Sequence, residues 1–261
     1  MQILNSKWLA LETSTDTLSL AVARDGQLWT HTGAGGAQTS ATMLPQTLAL
    51  LAEANLKLHD LDAVVFGRGP GAFTGLRTAC AVAQGLAFGA DLQVLPIDTL
   101  LAVAEEARHT FAHALTHAQI EQQKTNRTLV VMDARMDQVY VGAYEYLPNV
   151  DSPYNHNLAG AWRCVQEPAL QSPDSLSAPV TWESDSYIAA GNAWDVYATR
   201  WPTTLTANRV RALPTAAALV RLAPQAWAAG MAVPPEQALP VYVRDKVAQT
   251  TDERMQAKLT L

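Results

Sequence analysis

The stretch Gly67-Arg68-Gly69-Pro70-Gly71-Ala72-Phe73-Thr74-Gly75-Leu76-Arg77 follows the apolar run Ala63-Val64-Val65-Phe66 and precedes small, mostly apolar residues from Thr78 to Gly89. The first run reads as a buried strand and the second as a helix, so a glycine-dense turn joins strand to helix. Glycines there permit left-handed backbone and close approach of a neighbouring chain. The helix start offers unpaired N–H groups and positive dipole charge. Three readings stay open for Gly67, Gly69, Gly71 and Gly75: a phosphate cradle built on the N–H groups near Ala72 to Gly75, close packing in the core, or approach of another protein.

Working outward, the same design appears twice. Leu9-Ala10-Leu11-Glu12-Thr13-Ser14-Thr15-Asp16 is an apolar strand ending in a carboxylate and a polar turn, with Leu18, Leu20 and Val22 alternating after it. Val130-Val131-Met132-Asp133-Ala134-Arg135-Met136-Asp137 repeats it, followed by Val139, Val141 and Ala143. Glu12 matches Asp133, and Asp16 matches Asp137, each 121 residues apart. Two strand–acidic turn–strand units half a chain apart predict a duplicated α/β fold of two lobes, residues 1–105 and 106–261, with the C-terminal helix packing back on the first lobe.

Between these landmarks, Asp25-Gly26 signals a turn into a third strand, Gln27 to Thr32. A helix is expected from Ser40 to Asn55. It carries two apolar stripes, Leu44-Leu48-Leu51 and Met43-Thr47-Leu50-Ala54, a face wider than one sheet contact needs. Leu92 to Pro96 reads as a strand, with Asp98-Thr99 capping the next helix. The Pro-, Ser-, Asn- and Trp-rich region from Pro148 to Ser186 is expected to be loops and short strands. Tyr187 to Trp194 reads as a strand entering a helix, Thr215 to Ala229 as a helix, and the polar tail after Val247 as mobile.

Composition narrows the function. At 261 residues, 49% hydrophobic, the chain can bury a substantial core. A net charge of −6 argues against binding nucleic acid unaided. Cys80 and Cys164 read as free thiols of a reducing compartment. With no signal peptide and no run of about 20 apolar residues, a cytoplasmic protein off the membrane is expected.

Candidate chemistry is sparse. Glu12 and Asp133, with Thr13 and Ser14, are candidates for a vestigial nucleotide site, since magnesium takes oxygen ligands; closure of the turns by accepted backbone hydrogen bonds is the preferred reading. The row Gly75, Ala79, Ala83 and the row Ala81, Gly85, Gly89 let another helix approach closely. Core packing explains these rows as well as a partner does; Met43, Thr47, Leu50, Leu51, Ala54, Phe73, Thr74, Arg77, Cys80 and Ala83 are the expected partner interface on the strength of the family resemblance that follows. His109, His113 and His117 fall near one helix face and could share a metal, but read as a solvated stripe, so no metal is expected. Ser14, Thr15 and Thr74 lack a positioned base and read as caps and turns.

Several of these segments together resemble the TsaB family: Leu11 to Thr15, Gly67 to Arg77, Gly85 to Gly89, Asp133 to Met136 with Val139-Tyr140, and Pro240-Val241-Tyr242-Val243-Arg244. The resemblance implies the duplicated actin-like ATPase fold shared with sugar kinases. It implies a subunit with no catalytic residue of its own that supports TsaD as a heterodimer, with the ATPase TsaE as a further partner and a homodimer when alone. The system it serves places threonylcarbamoyl on the adenosine beside the anticodon of tRNA. ATP belongs to that wider complex, and tRNA is met only through it. The chain departs from the family pattern in having Thr39-Ser40 where members carry His-Ser, Glu12 where they carry Asp, and an expanded Pro148–Ser186 region. The alternative functions are an autonomous ATP-dependent enzyme of the sugar-kinase type and a metallopeptidase.

Overall fold

The computed structural model describes residues 6–114, 126–147, 161–183, 186–205 and 207–244. His117, the tail after Val247 and residues 148–160 and 184–185 of the Pro148–Ser186 region lie outside these, as does the side chain of His113.

The alternating apolar residues of the first half form strands β1 (Trp8–Glu12), β2 (Thr17–Arg24), β3 (Gln27–Ala34), β4 (Ala63–Gly69) and β5 (Gln93–Asp98). Their order in the sheet is β3-β2-β1-β4-β5. β1 pairs antiparallel with β2 and parallel with β4, and β4 pairs parallel with β5. Helix α1 (Thr39–Glu53) leads into β4, α2 (Phe73–Ala90) links β4 to β5, and α3 (Thr99–Ala114) follows β5.

The second half repeats this plan. β6 (Arg127–Asp133), β7 (Val139–Leu147), β8 (Ala161–Gln171), β9 (Ile188–Gly191) and β10 (Asn208–Arg211) lie in the order β10-β9-β6-β7-β8. A short helix α4 (Ala193–Val196) follows β9, and α5 (Ala216–Ala228) follows β10. The Thr215 hydroxyl accepts from the Ala218 N–H and starts α5. Each second-half strand thus stands where its first-half counterpart does, the hairpins of Glu12 and Asp133 included.

Strand alternation sorts side chains into layers. Leu9, Leu11, Leu20, Val64 and Phe66 face α1 and α2. Trp8, Ala10, Val65, Leu95 and Ile97 face inward, with Val130, Met132, Tyr140 and Ile188 of the second sheet, onto a shared middle layer made by α3 and α5. The far face of the second sheet is closed by Trp182, Tyr187, Trp194 and Tyr197. Helix α5 lies on β1, β2, β4 and β5 of the first sheet, and its first turn is tied there by Ala216 N–H to Ser19 Oγ at 2.9 Å. Residue 105, where the two lobes divide by sequence, falls inside α3, whose side chains serve both sheets.

Two sequence expectations need correction. Helix α2 begins at Phe73, not Thr78, so Gly75 sits in its first turn. The Pro148–Ser186 region holds the 11-residue strand β8, in which Pro168 is tolerated because β8 is a sheet edge. Val241 to Arg244 continues a non-strand arm that runs back over α2.

Candidate functional site

The glycine loop packs backbone against backbone. A methyl group on Gly75 would land on the Thr13 carbonyl oxygen, and one on Gly71 would strike Ser14. The contact is sealed by Ala72 N–H to Ser14 O at 2.7 Å and Thr13 Oγ1 to Gly75 O at 2.8 Å. Gly69, at φ +116° and ahead of a cis bond to Pro70, closes on the Val241 carbonyl. The space a phosphate would need beside Gly71 and Gly75 is filled by the β1–β2 turn.

Glu12 lies beneath this loop and not in an open cleft. Its carboxyl is 1% exposed, and Oε2 rests against Gly67 where a Cβ would otherwise stand. Oε1 accepts from the Ser14 N–H at 2.6 Å. Burial raises its pKa above the ordinary 4.5, against the opposing hydrogen bonds from Ser14 and Thr13. A carboxyl packed on Gly67 and closed off from solvent leaves no room beside it for a hydrated magnesium ion. These residues do not fit a nucleotide–metal pair.

A cleft of about 220 Å³ does separate the two acidic turns, lined by Ser14 to Thr17, Pro70 to Ala72, Met132 to Arg135, Asn192 and Arg211 among others. Asp133 lines it and is engaged. Its Oδ1 accepts from Tyr197 Oη at 2.9 Å and from the Arg135 N–H at 2.8 Å. That pairing helps to push the Tyr197 phenol up to about 12, after burial as the larger cause. Arg135 crosses the cleft to Asp16 at 2.9 Å, joining the two turns related by the repeat. The second turn is the tighter one: Arg135, Met136 and Asp137 all have φ between +54° and +60°. Left-handed backbone costs an ordinary residue about 1 kcal/mol or more, so this turn depends on what holds it.

The expected partner interface divides in two. Met43, Thr47, Leu50, Leu51 and Ala54 are buried against the first sheet, and Ala83 with them. Cys80 is buried too; its thiol donates to the Ala238 carbonyl at 3.2 Å, because the C-terminal arm covers that side of α2. Seven of the residues expected to meet a partner therefore serve this chain's own core. Phe73, Thr74 and Arg77 stay accessible at the start of α2. The Arg77 guanidinium lies 3.8 Å from the Phe73 ring centre, and its Nε donates to Tyr242 Oη at 2.9 Å. What the two helices present outward is Leu44 at 44% exposed and Leu48 at 51% on α1, and Phe88 at 80% with Ala81, Gly85 and Gly89 on α2; Leu51, of the same stripe as Leu44 and Leu48, turns into the core. The signal was in the sequence, since both rows are visible there; which row faces the sheet depends on how each helix is rotated.

Among the described residues no group of three or more His, Cys, Asp or Glu could hold a metal ion, and no helix is long and apolar enough to cross a membrane.

Two sheets of matching order about a shared helix layer, with paired acidic turns facing across a cleft, define an actin-like protein of the TsaD type. The family model described as "TsaD: tRNA N6-adenosine threonylcarbamoyltransferase" matches residues 35–251. The tRNA threonylcarbamoyladenosine biosynthesis protein TsaB of Haemophilus influenzae is 32% identical, over 93% of this chain and 95% of its own. TsaB of Escherichia coli is 30% identical, over 92% and 95%. The solved structure of YeaZ from Pseudomonas aeruginosa superposes with a TM-score of 0.75 at 35% identity, over 91% of this chain and 99% of that one. The chain belongs to the TsaB family within this class.

Proposed function

We propose that the protein takes part in tRNA threonylcarbamoyladenosine biosynthesis as a partner subunit that does no chemistry itself. It docks on TsaD through the outward stripe of α1 and α2 and keeps TsaD active. The observation that carries this reading is the exposed apolar row Leu44, Leu48 and Phe88 beside small Ala81, Gly85 and Gly89. Exposed large apolar side chains on neighbouring helices are what an interaction site offers, and small residues let a partner helix come close. When TsaD is absent the same face pairs two copies of the chain. TsaE, the ATPase, joins the complex and brings the ATP; tRNA is met through TsaD.

The sugar-kinase reading loses its support at Glu12 and at the glycine loop. The carboxyl that would face a metal is buried, and the loop that would cradle phosphate is occupied by Thr13 and Ser14.

Size-exclusion chromatography with light scattering tests the proposal, mixing the protein with TsaD of the same organism, with and without ATP. The expected result is a one-to-one complex replacing the homodimer. No complex under either condition, together with Mg²⁺–ATP binding by this chain alone, would overturn it.

A further inference from the structure

The C-terminal arm bonds to both lobes beside the cleft. At its first-lobe end, Val241 N–H donates to Arg68 O at 2.6 Å, and the Tyr242 ring lies 5.1 Å from Phe73 and accepts from Arg77. Two residues on, Arg244 enters the second lobe. Its Nη2 donates to Ala134 O at 2.9 Å and to Arg135 O at 3.2 Å, while Nη1 lies on Met136 Sδ. One planar guanidinium thus clasps the carbonyls that open the left-handed run Arg135–Asp137. Gly71 and Ala72 line one side of the cleft, and Ala134 and Arg135 the other.

We infer that Val241–Arg244 is a strap that couples the glycine-loop end of α2 to the β6–β7 turn, with Arg244 as its second-lobe fastener and the positioning residue for the cleft. A turn of three left-handed residues persists only while its surroundings over-determine it. Around this one stand the Asp133 carboxylate, Tyr197, the Arg200–Asp137 pair and Arg244. The turn meets the first lobe twice: through the Arg135–Asp16 pair, whose side chains are both largely exposed, and through Arg244, which clasps its backbone from a segment bonded at its other end to the first lobe's loop. The strap also carries Tyr242, against which Phe73 and Arg77 are ordered. Loosening the turn therefore loosens the start of α2, and the reverse. The inference concerns this chain alone and holds whether or not α2 meets a partner.

Amide hydrogen exchange on the full chain, read by NMR, tests it. Four amides report: Ala134 and Gln138, bonded within the turn, and Val241 and Ala72, bonded in the first lobe. Arg244→Ala is expected to raise exchange at all four by at least about fivefold, while core amides of β1 and β6 keep their protection. Arg244→Lys, a point charge without the fork, falls between Ala and wild type. Because coupling is reciprocal, Tyr242→Ala must in turn raise exchange at Ala134 and Gln138. Loosening confined to Ala134 and Gln138 in Arg244→Ala, or an unchanged turn in Tyr242→Ala, would overturn the coupling. The Tyr242 variant decides the matter if the Arg244 variants fail to fold.

Discussion

Gly75 lies so close to Thr13 that no side chain fits between the α2 backbone and the Thr13 carbonyl oxygen. The glycine is thus required by the strand-end turn and not by a ligand. Gly75→Ala is expected to destabilise the protein by about 3 kcal/mol, since backbone and not a flexible side chain must give way. Gly85 in the same helix has open space around it, so Gly85→Ala is expected to stabilise by up to about 1 kcal/mol through helix propensity alone. Urea unfolding of the two variants checks the contrast; equal effects would sink it.

On α1 and α2 the residues proposed to dock are exposed and those that build the core are buried, and an introduced charge separates the two roles. Phe88→Glu and Leu48→Glu, both on the exposed side, are expected to weaken the complex with TsaD by at least about 30-fold with the unfolding midpoint unchanged. Leu50→Glu and Ala79→Arg place a charge in the core and are expected to prevent folding. Titration calorimetry with TsaD, alongside circular dichroism, distinguishes the two classes. Tight binding by both surface variants would place the interface elsewhere.

The duplication was legible because hairpin chemistry repeats: Glu12 and Asp133 end their strands at matching positions, and alternation resumes after each turn. Helices α1 and α2 were legible as helices, but their rotation was not. Met43 and Leu44 are equally apolar, and the first sheet chooses between them. Cys80 looked available because nothing periodic announces the arm from Val233 to Arg244. Its attachment is a few scattered hydrogen bonds, the reciprocal Val233–Val94 pair and Val241 N–H to Arg68 O among them. β8 was hidden by Pro168, which a sheet edge tolerates. The left-handed run at Arg135 leaves no compositional mark, since none of its residues is glycine.

The Glu12 carboxyl gives the protein a pH dependence of unusual sign. Its folded pKa is raised above 4.5 by burial, so between those values the folded state holds more protons than the unfolded state. Stability from this group is complete below pH 4.5 and is lost as pH rises through the folded value. Glu12→Gln keeps an oxygen for the Ser14 N–H and removes the titration. Relative to wild type, the variant is expected to gain stability as pH rises from 4.5 to 8. Urea midpoints of both proteins across that range check this; a difference independent of pH would show that Glu12 is already ionised in the fold.

Glu105 works in the opposite sense. It is buried on α3, where burial alone would raise its pKa. Hydrogen bonds from Arg108 and from Trp162 Nε1, and the charges of Arg108 and Arg221, override that and hold it below 4.5. Both arginines bond it at 2.9 Å, and the Trp162 indole at 3.0 Å. The carboxylate therefore binds α5 and β8 to α3 in the middle layer. Its contribution is complete above pH 4.5 and is lost as pH falls through the depressed folded value. Glu105→Gln leaves two arginines and an indole N–H sharing one neutral oxygen. The expected cost at pH 7 is about 3 kcal/mol, at the low end for a broken buried pair because both arginines reach solvent. The cost shrinks at acid pH, where the wild-type carboxyl is itself protonated. Urea unfolding at neutral and acid pH reads both quantities. A cost that stays constant down to the acid limit would mean that Glu105 acts through packing and not through its charge.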